Sequence, residues 1–324
     1  MTAERTPAGA PFLRPLGATG IQVSRLCFGT LTLSPLQKNL SPEAGAELLT
    51  CAAQLGVNFL DTAELYDNYP AIALALKRKP DWVIATKSYA YSAQMARDSV
   101  EKALRALNRD YVDIFLLHEQ ESGDTLRGHF EAVEELHRLK ALGKVRAVGL
   151  STHHIAAVRA SCARPEIEVI HPILNARGWG IQDGAREQME RAVAQAHEIG
   201  KGVYLMKALC GGHMISDYAA AMDYALGVAA ADAVAVGMGQ LSEVAVNVAR
   251  FRGEAADPAQ LAAVGRTDRR LMIHDYCQGC GACVAACRAG ALSLVDGRAA
   301  VDDSRCIRCG YCSARCPLLC IKVV

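Results

Sequence analysis

Short apolar runs rich in β-branched residues alternate with longer amphipathic stretches along most of the chain, the pattern of repeated strand and helix units that share a parallel sheet. The runs predict strands at 25–28, 57–61, 82–87, 113–118, 147–151, 169–174, 202–206 and 233–237. Between them, "SPEAGAELLTCAAQLG" offers Ser41 as an N-cap, Pro42 at the first helical position and Gly56 just past the end. "FEAVEELHRLKALG" and "REQMERAVAQAHEIG" close in the same way on Gly143 and Gly200. Eight such units in about 250 residues predict a (β/α)₈ TIM barrel, because an open doubly wound sheet ordinarily uses fewer strands. Ahead of the first strand, "LRPLGATGIQVSRL" alternates apolar residues around Gly17 and Gly20 and predicts a small hairpin.

The pattern changes after residue 251. Residues 252–275 mix charge, Pro258 and a short alanine-rich run, so they read as a connector between a domain at 1–251 and a second one at 276–324. The second region repeats internally. A shift of 29 residues carries Cys277, Cys280, Cys283 and Cys287 onto Cys306, Cys309, Cys312 and Cys316, and Leu292 and Leu294 onto Ile321 and Val323. Two similar halves, each ending in a short strand, are expected.

Composition narrows the function. Lys plus Arg number 35 against 34 Asp plus Glu, which gives no basic surface for nucleic acid. The N-terminal residues lack the apolar core of a signal peptide, and Asp232 interrupts the most apolar stretch, so a cytoplasmic protein without membrane contact is expected. Nine of the 13 cysteines fall between 277 and 320. In a large chain without an export signal, that crowding favours metal ligation over disulfides.

Ionisable residues that end apolar strands are the candidates for chemistry in this barrel class. Asp61 closes "VNFLD", Tyr66 follows in "TAELYDNY", Lys87 closes "WVIATK" and His118 closes "DIFLLH". Singly, each has an ordinary structural explanation; four at successive strand ends favour a catalytic cluster. His153 and His154 follow the fifth strand and read as solvated loop histidines, while Cys27, Cys51 and Cys162 read as small core residues. Cys210, in the loop after the seventh strand, carries no supported redox role.

With "GVNFLDTAELYD", "IATK", "LLH" and "GKVRAVGLS" on these strands, residues 12–250 resemble the aldo-keto reductases. The resemblance implies a tetrad of Asp61, Tyr66, Lys87 and His118 and a small-molecule carbonyl substrate. Tyr66 would donate a proton as charge grows on the carbonyl oxygen, Lys87 would lower the phenol from its ordinary pKa of about 10, Asp61 would hold the ammonium, and His118 would orient the carbonyl. Glu119 stands where many relatives carry an aromatic residue, making the substrate wall more acidic. The resemblance also implies NADP(H) or NAD(H), bound without a Rossmann fingerprint. Ser151 and Asn175 match contacts or lining positions for the carboxamide, His171 replaces a usual glutamine, and Met206 replaces an aromatic residue that stacks on the ring. In "VGMGQLSEVAVN", Gly237 and Gly239 admit close backbone approach and Asn247 matches an adenine contact. Met238, Gly239 and Val244 supply no basic clamp for a 2′-phosphate.

The run C-x₂-C-x₂-C-x₃-C occurs twice, and the region from Cys277 resembles the bacterial dicluster ferredoxins, a small α+β iron-sulfur fold with two [4Fe-4S] clusters. The interleaving implied by that resemblance assigns Cys277, Cys280, Cys283 and Cys316 to one cluster and Cys306, Cys309, Cys312 and Cys287 to the other. Arg288 departs from the proline expected after Cys287, and Cys320 is a spare. Zinc is the alternative, but its tetrahedral sites seldom use two interleaved runs this tight. Three readings of the fusion stand at this point: a reductase exchanging electrons with its tail and with a ferredoxin or flavoprotein, a nicotinamide-dependent reductase with structural clusters, and a non-catalytic electron carrier or redox sensor.

Overall fold

The computed structural model describes residues 12–265, 270–287, 289–306 and 311–323. Cys309 and Arg288, singled out by the motif, lie outside them. A hairpin of β1 (Leu13–Pro15) and β2 (Gln22–Ser24) precedes eight parallel strands: β3 (Leu26–Gly29), β4 (Phe59–Asp61), β5 (Val83–Ser88), β6 (Val112–Leu117), β7 (Val145–Thr152), β8 (Val169–Pro172), β9 (Gly202–Leu205) and β10 (Ala233–Gly237). They close into a barrel when β10 pairs with β3. All eight apolar runs fall on these strands. The first helix, Pro42–Gln54, starts where Ser41 Oγ accepts from the Ala44 amide and ends before Gly56, whose φ of +83° a side chain would strain.

Two cores follow from strand alternation. One lies between the barrel and its surrounding helices and includes Phe28, Leu60, Trp82, Phe115 and Met189. The other fills the barrel with Cys27, Phe59, Ala85, Ile114, Leu116 and Tyr204, and Leu16, Ile21 and Val23 of the hairpin region complete it. The hairpin is fastened by Gly17, whose amide donates to Asp232 Oδ2 at 3.0 Å and whose Cα abuts Gly202 too closely for any Cβ. Ligands must enter from the other end, where the strands finish.

Beyond a short helix, Pro258–Gly265, four strands form two antiparallel pairs. β11 (Leu271–Ile273) pairs with β14 (Ile321–Val323), and β12 (Leu292–Val295) pairs with β13 (Arg298–Val301). β11 therefore sits inside the span read from composition as connector, because three residues flanked by charge carry no period of their own. β13 follows an Asp296–Gly297 turn with both residues at positive φ, the two-residue hairpin turn that matches strand twist. The tail has its own small core, including Leu271, Cys283, Leu292, Cys320 and Ile321.

The tail docks on the loops that follow β8 and β9. Leu319 packs into the barrel core beside Gly180, His213 Nε2–H donates to the Ile321 carbonyl at 3.0 Å, and Gln182 donates to the Pro317 carbonyl. Gly212, at φ +94°, faces the Val323 carbonyl so closely that a Cβ would lie 2.1 Å from its oxygen. Among the described residues, no helix is long and apolar enough to cross a membrane.

Replacing Gly212 by alanine is expected to lift β14 from the barrel, since both the steric clash and the positive φ oppose a side chain. Hydrogen exchange should then quicken at 271–273 and 321–323 while the barrel strands keep their protection; unchanged exchange in the tail would contradict this docking.

Candidate functional site

At the end of β4, Asp61 is joined to Lys87 of β5 by register: Asp61 faces Ala85, two residues before the lysine. Lys87 is 1% exposed, and its ammonium donates to Asp61 Oδ1 at 2.9 Å, Asp61 Oδ2 at 2.8 Å and the Thr62 carbonyl at 2.7 Å. All three protons are used, which is the condition for keeping a buried ammonium charged. Beneath the pair, Tyr204 donates its hydroxyl to Asp61 Oδ1 at 2.8 Å. His171 stacks on Tyr204, donates Nδ1–H to its carbonyl at 2.7 Å and brings Nε2 to 3.7 Å from Asp61. Burial drives the His171 pKa down to about 4, so the ring is neutral near pH 7.

Tyr66 is carried in a 3₁₀ turn, Glu64–Tyr66, that ends on Asp67 in the left-handed region. The turn is latched by Asn68, which accepts from Thr62 Oγ1 at 2.8 Å and donates to the Thr30 carbonyl at 2.8 Å. Lys87 Nζ stands 5.1 Å from the Tyr66 ring centroid, and the His118 ring meets the tyrosine edge-on at 6.1 Å. Asp61, Tyr66, Lys87 and His118 thus gather at one end of the barrel. Burial first, then the charges of Asp61 and Glu119, push the Tyr66 phenol well above its ordinary pKa. This differs from the expectation that Lys87 lowers it. The lysine's protons are spent on Asp61 and Thr62, and the carboxylate answers its charge.

His118 is 6% exposed and stacked on Tyr89 at 4.5 Å, with Nδ1 buried and unpartnered. Burial, then the charge of Lys87, drives its pKa well below the usual value and keeps the ring neutral. Tyr89 donates to Glu119 Oε2 at 2.7 Å. Neither Tyr89 nor Tyr204 was singled out in the sequence. Tyr204 lies on an apolar strand where a tyrosine reads as core, and Tyr89 sits just past Lys87 in a polar loop.

The residues expected to meet a nicotinamide cofactor are spread more widely. Ser151 is fully buried, its Oγ accepting from the Glu119 amide at 2.9 Å. Asn175 is engaged within its own loop, donating to the Trp179 carbonyl and accepting from the amides of Arg177 and Trp179. Met206 is half-buried and bridges to Ile173. Gly237 is covered by Thr32, and Lys38 lies across Gly239. The Gly239 amide donates to Glu243 Oε2 at 2.7 Å, so a carboxylate of this chain occupies the helix start where a phosphate would bind. Asn247 accepts from the Tyr218 hydroxyl and donates to the Glu243 carbonyl. In this arrangement the residues present do not form a free cradle for the dinucleotide's phosphates.

The cysteine region is different. Cys277, Cys280, Cys283 and Cys316 line one cavity with Gly279, Gly281, Pro317, Leu318 and Cys320. Backbone amides point at its sulfurs: Ala299 N–H toward Cys277 at 3.5 Å and Cys320 N–H toward Cys316 at 3.4 Å. Such N–H···S contacts stabilise thiolate ligands, so the donor set fits an iron-sulfur cluster. Cys287, Cys306 and Cys312 lie in the same small core, with the Ala291 amide donating to Cys287 at 3.3 Å. Cys320 stands 3.3 Å from Cys316, sulfur to sulfur, and is buried.

Comparison with known proteins returns a family model for the cysteine region and another for the barrel. Residues 271–317 match the 4Fe-4S dicluster domain. The L-galactose dehydrogenase of Arabidopsis thaliana is 31% identical over 152 residues, 43% of this chain and 48% of that protein. The NADH-specific methylglyoxal reductase of Escherichia coli is 26% identical over 63% of this chain and 70% of its own length. The chain spans about half the length of several curated relatives that it matches. Among solved structures, an aldo-keto reductase from Pseudomonas aeruginosa superposes with a TM-score of 0.64 at 26% identity, covering 74% of this chain and 94% of that one. Residues 25–212 match the model of the aldo/keto reductase family, and the chain belongs to that family.

Proposed function

We propose that the chain is an iron-sulfur oxidoreductase that reduces a carbonyl-type substrate at the barrel mouth, with electrons exchanged through its tail. One observation carries the reading: the segment 316–322 both walls the cysteine cavity and docks on the loops around the mouth. Electrons and substrate would then meet across a single stretch of backbone. When bound, two [4Fe-4S] clusters would supply electrons one at a time, and each carbonyl reduced takes two of them with two protons, one passed to the oxygen by Tyr66 and one taken up by the carbon from water. A ferredoxin or flavoprotein is the class of partner suited to refilling them.

The chain's own residues manage the proton and the orientation. Tyr66, half-buried and held protonated, donates to the substrate oxygen as negative charge develops there. Lys87, held by Asp61 and the Thr62 carbonyl, stands 5.1 Å from the phenol ring and fixes the surroundings in which the proton is passed. Asp61, anchored by Tyr204, prevents the lysine from moving off. His118 is neutral and offers a ring nitrogen for hydrogen bonding to the carbonyl.

A second reading, hydride transfer from a nicotinamide cofactor with clusters that only stabilise the tail, is favoured by the family and by the NADH specificity in the name of one relative. The occupied amide of Gly239 weighs against it.

Tyr66→Phe should lower kcat for carbonyl reduction by roughly 10²- to 10⁴-fold while iron and sulfide content stays at wild-type level. Anaerobic stopped-flow absorbance decides between the two readings. Clusters of the wild type reduced in advance should be reoxidised by substrate at the turnover rate. Redox-silent clusters during turnover would sink the electron-exchange reading and leave the hydride one.

The neutral His171 gives a pH signature in stability. Its folded pKa of about 4 lies below the unfolded value of 6.5, so the unfolded chain binds the proton first. Stability is complete above about pH 6.5 and falls as pH drops toward 4, by up to roughly 3 kcal/mol for this residue. His171→Gln should flatten that part of a Tm-against-pH curve; an identical slope would rule out a neutral buried imidazole.

A further inference from the structure

The mouth carries a pair of lysines that the proton chemistry does not use. Lys207 follows β9, directly after Met206, and its backbone is in the left-handed region at φ +59°, a strained conformation for a side-chain-bearing residue. Lys322 comes from β14 of the tail and is 2% exposed. Its stem crosses Gly211, where a Cβ would stand 2.6 Å from the lysine Cδ, so glycine is what lets the side chain through. The two side chains are in hydrogen-bonding contact. Lys322 also donates to the Leu319 carbonyl.

A hydrogen bond between two lysines needs one of them as the neutral amine. Burial, then the charge of Lys207, pushes the Lys322 pKa well below its usual value, while burial lowers that of Lys207; an anion lying with the pair would favour both ammonium forms. Among the described residues, neither has a carboxylate within 4 Å. Glu119 is an acid whose charge acts on both, but it sits exposed on the rim and holds the Tyr89 hydroxyl. Around the lysines, His153 is half-buried and His118 buried, and both rings are neutral, so neither repels an anion.

We infer that Lys207 and Lys322 form an oxyanion-binding subsite, completed by the iron-sulfur tail, that holds a carboxylate or phosphate group on the carbonyl substrate. This rests on the reading of the mouth as the place of carbonyl reduction and narrows it to acidic carbonyl compounds, such as 2-oxo acids or phosphorylated aldehydes. The chemistry is that of two point charges converging on one oxyanion while the carbonyl reaches Tyr66. Lys322 is also within electrostatic reach of Cys316 and Cys320. Compensation of cluster charge would explain that lysine alone. Lys207 belongs to the barrel, and the sulfur acting on it is that of Cys210 rather than a tail cysteine. Beyond the exposed Glu119 and the Cys210 sulfur, the charge it would answer is a ligand's.

The test uses the full chain with both clusters, prepared anaerobically, and isothermal titration with oxalate and with inorganic phosphate. The wild type should bind at least one of them saturably with a single site, and Lys207→Met and Lys322→Met should each weaken that binding about tenfold or more. Lys207→Arg should restore part of it. Equal affinity in wild type and both methionine variants, or no binding of either anion to the wild type, would overturn the inference. If Lys322→Met does not fold, Lys207→Met decides alone, with the cluster potential measured beside it. Lost anion binding at an unchanged potential supports the subsite; a shifted potential with anion binding intact assigns the lysines to the clusters and refutes it. A parallel fluorescence titration with NADH and NADPH separates a cofactor diphosphate from a substrate group. Weakened nucleotide binding with oxalate and phosphate unaffected also refutes it. None of these readouts needs turnover. Retained anion binding in a protein that reduces no carbonyl would leave the subsite standing and remove the proposed reaction.

Discussion

A lysine ammonium cannot be buried in the rim of a barrel unless every proton finds an acceptor, and that requirement organises the mouth of this protein. Lys87 meets it with both oxygens of Asp61 and the Thr62 carbonyl. Asp61 in turn needs its own oxygens satisfied, which brings Tyr204 from the far side of the barrel. Its backbone carbonyl accepts from Thr30 Oγ1, while Asn68 ties Thr62 to Thr30. A buried ion pair of this kind adds little net stability over an apolar pair of similar shape. Its effect is geometric: β3, β4, β5 and β9 are fixed to one another at the point where Tyr66 turns over the opening.

The tail is tied to the same end by a different force. Leu319 is a member of the barrel's core, and the glycine pair 211–212 leaves room for Lys322 and Val323 to lie flat on the loop after β9. Apolar burial of one leucine and close backbone approach, rather than surface charge, hold the two units together. This makes the segment from Cys316 to Lys322 a wall common to the cysteine cavity and the substrate end. A tail hung on the connector by flexible chain would have no such wall.

Much of this was legible in the sequence, for reasons that differ by residue. The eight strands were readable because strands buried on both faces must be apolar throughout, and some helices declared an end, Ser41 capping the first and the left-handed Gly56, Gly143 and Gly200 following the ends of three. Asp61, Lys87 and His118 stood out because a charge or a ring at the end of such a run has one place to go. Tyr204 did not, and His171 was marked only by the resemblance, as a replacement for a glutamine, since their partner Asp61 is more than a hundred residues away and nothing local marks an inward-facing tyrosine as an anchor. The Asp296–Gly297 hairpin was there to be read as a turn, yet the cysteine spacing around it drew attention to the ligands alone. Lys322 was not marked at all, because its position beside Lys207 depends on how two domains dock, and docking leaves no period in a sequence.

The height of the phenol's pKa bears on the order of events. A hydroxyl held well above its ordinary range by burial and by Asp61 gives a proton only to an oxygen more basic than itself, and a neutral carbonyl is far less basic than that. Tyr66 is therefore inert toward the substrate until electron density has reached the carbonyl, and reactive as soon as it has. The neutral His118 can hydrogen-bond to the carbonyl in the meantime without supplying a proton of its own, because its pKa lies too low for the ring to carry one to spare. With Lys87 fixed by Asp61, the ion pair beside the phenol keeps one geometry before and after transfer, so the site does not rearrange around the proton. Electrons first and proton second is the sequence that this set of buried groups permits, whichever donor brings the electrons to the mouth.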